Sequence, residues 1–209
     1  MSRSVLGPLA MAVLLSSSAP LVAADPPAVQ RVGKTATQFR DGSVQAVIST
    51  KYASNHLDRE WTVLEICVAA TSGKPVAIAR EDVSLRAEDG TVMALPSQKA
   101  MAQGLPDVRN VLQTARIMSD PLAGYFPFAD TEERLRFFTI PGQSTVLDEQ
   151  VVSKSRLDHG WLFFRSPTGK WGGLYELVLK NRYVDARIPF RLPAGDFPEK
   201  EGDPKTVPW

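Results

Sequence analysis

Residues 184–192 constrain this chain more than any other stretch. Val184, Ala186, Ile188, Phe190 and Leu192 alternate with Asp185, Arg187, Pro189 and Arg191. A period of two puts one set on an apolar face and the other in water, the signature of a half-buried strand. Two more strand-like runs precede it, 160–165 and 174–179. The three are expected to form one meander, the sheet against which the rest of the chain closes.

The same grammar extends upstream. Val44, Ala46 and Ile48 are in phase within 43–50, and 61–70 is the strongest strand of the first half. Short strands are expected at 76–79, 83–87 and 91–95, the last two joined at Glu88-Asp89-Gly90. Further strands at 134–140 and 144–152 flank the turn Pro141-Gly142. Strands of four to eight residues between Gly, Pro, Asn and Asp turns favour a sandwich over an α/β fold. Residues 51–60 read as a polar connection.

One segment breaks the pattern. Ser97 can cap a short helix that Gly104 ends, and Pro106 suits the first turn of a second. Val108, Val111, Leu112, Ala115 and Met118 then recur at helical spacing. An apolar stripe of that kind must be covered. The expectation is that 97–120 packs on the sheet face carrying Cys67, or along one edge of the sandwich. The fold class expected is therefore all-β dominated, an immunoglobulin-like β-sandwich with a helical insertion at about 97–120.

The ends differ from this domain. Arg3, an apolar run over 5–15 and the small residues Ala-Ala24 have the parts of a secretory signal cleaved after Ala24. The run is too short to span a bilayer, which takes roughly 20 residues. Residues 25–40 read as a flexible leader, 41–193 as the sandwich domain, and 194–209 as a charged, Pro-rich disordered tail. No later segment is apolar enough to cross a membrane. The 24 basic and 23 acidic residues give a net charge of +1, so nothing electrostatic calls for nucleic acid or an anionic membrane as partner. Cys67, the single cysteine, has no internal partner and no CxxC neighbour, and reads as a small covered hydrophobe.

The strand 61–70, the turn Ser72-Gly-Lys-Pro75, the Asp89-Gly90 hairpin, the run Gly160-Trp-Leu-Phe-Phe164 and the closing Ile188-Pro-Phe-Arg-Leu192 carry a resemblance. Together they resemble exported bacterial immunoglobulin-like domains of unknown function. The resemblance implies a fold and a compartment and transfers no functional residue. The insertion at 97–120 and the lack of a cysteine pair depart from the simple seven-stranded pattern.

Sequence patterns for chemistry are sparse. The two histidines, His56 and His159, would serve a small exported hydrolase or a metal-dependent enzyme. In the hydrolase, Ser155 or another serine is the nucleophile, His159 the base and Asp58 or Asp158 the orienter. No Gly-x-Ser-x-Gly elbow supports it, and two scattered histidines lack zinc-ligand spacing. The pairs Glu81-Asp82, Glu88-Asp89 and Glu132-Glu133 read as solvated turn neighbours. Residues 166–170 lack phosphate-loop spacing, and with Trp171 read as a hairpin loop. Neither a metal nor a cofactor is expected. The expected function is non-catalytic binding of a protein or envelope component. Its candidate residues are the loop aromatics Tyr125, Phe126 and Phe128, with Trp171 at a loop tip.

Overall fold

The computed structural model describes residues 28–193; the signal and tail expectations fall outside them. The chain is strand-dominated. Its strands are β1 Ala28–Arg31, β2 Ala36–Arg40, β3 Val44–Ser49, β4 Trp61–Ala70, β5 Val76–Ala79, β6 Val83–Ala87, β7 Val92–Ala94, β8 Thr131–Arg134, β9 Glu149–Val152, β10 Arg156–Arg165, β11 Gly173–Lys180 and β12 Asp185–Leu192. The helices are α1 Lys51–Asn55, α2 Gln98–Gln103 and α3 Leu105–Ile117.

The strands form a six-stranded sheet in the order β1-β2-β3-β4-β10-β8, a four-stranded sheet β12-β11-β6-β7, and the pair β5-β9. All pairings are antiparallel except β10 with β8. Both larger sheets feed one core. Phe39, Ile48, Leu64, Ile66, Leu162 and Phe164 enter it from the first, and Leu85, Leu177, Ile188 and Phe190 from the second. Each such side chain, fully buried, contributes about 1.5–3 kcal/mol.

The alternation in 184–192 is realised as expected, with Ala186, Ile188, Phe190 and Leu192 buried. The expected three-stranded meander is not. β10 pairs with β4 and β8, while β11 and β12 lie in the other sheet. Residues 166–172 therefore cross between layers and do not form a hairpin. Trp171 is drawn into the core there, 4 % exposed, with its Nε1 donating to the Arg59 carbonyl at 2.7 Å. The 25–40 leader is also corrected. β1 and β2 add to the edge beside β3, and Phe39 is buried in the core. In the region 134–152, strand is confined to β8 and β9, with an irregular connection between them. The Asp89-Gly90 hairpin forms as expected, with Gly90 at φ 86°.

β4 is buried along all ten residues because both its faces are covered. Leu64, Ile66, Val68 and Ala70 face the interlayer core. On the other face Val63 packs with Phe163 under Met101, Val108, Leu112 and Ala115 of α2 and α3. Cys67 and Ala69 lie beneath Leu122 and Phe126 from the connection after α3. The helical segment and the loop that follows it thus roof the face carrying Cys67, as the apolar stripe required. α2 begins at Ser97, whose hydroxyl accepts from the Ala100 N–H. α3 carries Pro106 in its first turn.

Candidate functional site

Under the edge of this roof a chain of polar side chains crosses the outer face of the six-stranded sheet. It starts at Asp120, just after α3. Asp120 accepts from Thr35 (2.9 Å), Ser49 (2.5 Å) and Lys51 (3.1 Å). Burial works against its charge, yet those three donors outweigh it and hold the carboxyl below its usual range. The Asp120 N–H donates to Glu65 Oε2 at 2.9 Å, and the Ser119 hydroxyl donates to Glu65 Oε1. Glu65 is 3 % exposed at the centre of β4. His159 of β10 follows, its Nε2 2.8 Å from Glu65 Oε1 and its Nδ1 2.8 Å from Glu132 Oε1 on β8. The chain of contacts ties the turn after α3 to the residue before β2 and to β3, β4, β10 and β8.

The hydrogen bond to Glu65 raises the His159 pKa against the pull of burial, and Glu132 adds to the rise. The ring is flanked by carboxylates on both sides, so the imidazolium, with two N–H donors, is the form the geometry favours.

Gly160 follows directly and is the tightest point of the site. A Cβ there would stand 2.6 Å from Leu135 Cβ and 3.0 Å from the Leu135 carbonyl oxygen. That approach lets Leu135 donate its N–H to the His159 carbonyl at 2.7 Å, carrying the chain beyond β8 over β10.

Two clefts open beside this clamp. One of about 360 Å³ is lined by Arg116, Ser119, Glu132, Arg134, His159 and Trp161 among others. A narrow slot of about 30 Å³ adjoins it, shares Arg116, Arg134 and Trp161, and adds Leu112, Leu135, Phe138 and Ile140. A third cleft, of about 430 Å³, lies elsewhere and holds His56 and Asp58.

The hydrolase constellation does not assemble. His56 and His159 line separate clefts. His56 stacks on Tyr52 at 4.2 Å, with Nδ1 3.0 Å from the Tyr52 carbonyl. Asp158, next to His159 in β10, points to the opposite face, as strand neighbours do. It is fully buried, where Gln150 and Arg156 hold it, and burial raises its pKa despite them. Ser155 is four residues from His159 along extended chain, roughly 13 Å. His159 itself lies within β10 and is ion-paired on both ring nitrogens. Among the described residues no group of three or more His, Cys, Asp and Glu could hold a metal ion, and no helix is long and apolar enough to cross a membrane.

The aromatics expected to bind are placed differently. Phe126 is buried over Cys67, and Trp171 is buried in the core, so neither ring is open to a ligand. Tyr125 is half-buried, its hydroxyl donating to the Val32 carbonyl at 3.0 Å. Phe128 is half-buried edge-on to Phe126, with ring centres 6.1 Å apart. This loop pins the first sheet's outer face. Sequence reading missed Glu65, Ser119 and the face around Trp161, and its turn reading of Glu132-Glu133 is corrected: both lie in β8, Glu132 paired with His159 and Glu133 with Arg156. One signal was available: Glu65 is the only charged residue in an otherwise buried ten-residue strand, and a charge there must have partners.

Cys67 is fully buried, and burial pushes its thiol well up from the ordinary value, with Glu65 and Glu132 adding to the rise. The native protein is expected to resist alkylation by iodoacetamide at pH 8 and to react only once denaturant is added. Rapid labelling of the native form would show that the loop over Cys67 opens.

No protein-family model matches the chain, and comparison with curated proteins and with solved structures finds no match.

Proposed function

We propose that this chain is an exported binding module of immunoglobulin-like, two-layered build that works without covalent chemistry. The working surface of the module is the face formed by α3, Trp161 and the segment after β8. The observation that carries this reading is the placement of His159 between two carboxylates. Both ring nitrogens stand 2.8 Å from carboxylate oxygens, an arrangement that favours the doubly protonated ring and offers no lone pair to a serine. The Ser119 hydroxyl donates to the same Glu65 oxygen and is not aimed at the ring. A nucleophile–base pair needs the serine on the imidazole. The arrangement is that of a clamp holding the two walls of a cleft. Export rests on the residue pattern of 1–24, and envelope association on export.

Two measurements test the reading. The N-terminus of protein recovered from the envelope or medium is expected to begin at Asp25. The mature protein, immobilised, is expected to retain a component of the envelope fraction, and the double variant Arg116→Glu/Arg134→Glu is expected to lose it while keeping the wild-type melting curve. Retention unchanged by the charge reversals would remove this face as the binding surface.

A further inference from the structure

Arg116 in the last turn of α3 and Arg134 at the end of β8 line both the 360 Å³ cleft and the narrow slot beside it. Among the described residues, neither guanidinium has an ion-pair or hydrogen-bond partner. The acids of the same cleft are engaged. Glu132 holds His159, and Glu133 pairs with Arg156 at 3.6 Å. Of the charged side chains lining the cleft, the two guanidiniums are thus the ones without an ion-pair partner among the described residues. Trp161, half-buried in β10, lines both openings together with the two arginines.

We propose that this cleft binds a small organic oxyanion, its carboxylate or phosphate head clamped between Arg116 and Arg134 and its flat apolar body lying on Trp161. A guanidinium presents a planar fork that matches the two oxygens of such a head. An indole face takes a flat apolar body. The volume fits a small ligand, near the lower end of the roughly 300–1,000 Å³ of ordinary ligand pockets. The slot at 30 Å³ admits little beyond a methyl group, so the body lies along Trp161 and does not enter it. The clamp described above preorganises the pair. Ser119, three residues after Arg116, and Glu132, two before Arg134, both reach Glu65, directly or through His159.

This assignment rests on the binding reading and names its ligand class. The test is isothermal titration of the mature protein with benzoate, phenyl phosphate, inorganic phosphate and the neutral benzyl alcohol. Benzoate or phenyl phosphate is expected to bind, more tightly than inorganic phosphate, and benzyl alcohol not to. Whichever of benzoate and phenyl phosphate binds better identifies the head group. Each of Arg116→Ala and Arg134→Ala, both at exposed side chains, should weaken binding about tenfold, and raised salt should weaken it further. Equal affinity in the double alanine variant, equal binding of benzyl alcohol, or no binding of either organic anion at millimolar concentration would overturn it. If those anions fail while envelope capture still depends on the two arginines, the small-anion assignment falls alone. If capture is also indifferent to them, the binding reading falls with it.

Discussion

Glu65→Ala is expected to lower the unfolding free energy by about 3–5 kcal/mol, the usual cost of breaking a buried charge pair from one side. The substitution strands three donors at once: the Ser119 hydroxyl, the Asp120 N–H and His159 Nε2. Glu65 is 3 % exposed, so water cannot replace the carboxylate without opening the roof. The turn after α3 then loses its hold on β4. Urea unfolding followed by far-UV circular dichroism measures the loss. A change below about 1 kcal/mol, the worth of a single neutral hydrogen bond, would mean that the polar chain across the sheet is not a structural tie.

The same clamp gives stability a pH dependence of defined sign. The His159 pKa is raised in the folded protein. Its contribution is therefore fully present below the free imidazole value of about 6.5 and is lost as pH rises through the higher folded value. His159→Gln is expected to be clearly less stable than wild type at pH 6 and to converge towards it on the alkaline side. A stability difference that grows with pH would show that the ring is neutral in the folded state.

Gly160→Ala is the second large effect. The new methyl would stand 2.6 Å from Leu135 Cβ and 3.0 Å from its carbonyl oxygen, and neither can swing aside as the end of a long side chain would. Either β10 shifts, which disturbs the pairing with β4 through Ile66 opposite Gly160, or the 135 segment lifts from the sheet. Overpacking of this kind costs about 1–3 kcal/mol and occasionally more, and here it also withdraws the hydrogen bond from the Leu135 N–H to the His159 carbonyl. The melting temperature is expected to fall by several degrees, about 2–4 °C per kcal/mol for a domain of this size. An unchanged melting curve would show that the approach of Leu135 to Gly160 is not tight in solution.

Much of the framework was legible from residue order, because alternation and helical spacing are local properties. The period-two run ending at Leu192, the Asp89-Gly90 hairpin, the Ser97 cap and the Pro106 helix start each depend on a few neighbouring residues, and each appears where expected. The apolar stripe of the second helix called for a cover, and of the two surfaces expected, the Cys67 face of 61–70 and an edge of the sandwich, the first is the one used. The leader was misread for a related reason. Ala36 and Phe39 are the buried apolar residues of β2, and two such residues three apart among polar neighbours give no period of two.

What the chain order could not decide was which strands become neighbours and which faces meet. The runs 160–165 and 174–179 are close in sequence, yet the crossover at 166–172 sends them to different layers and buries Trp171 at the passage. Glu65, Ser119, Glu132 and His159 are spread over 95 positions and share no motif. They meet because β4, β10 and β8 lie side by side and α3 ends above them. The local chain sets the direction of each side chain. Only the long-range pairing of strands sets its partners, and the cleft between Arg116 and Arg134 belongs to that second kind of information.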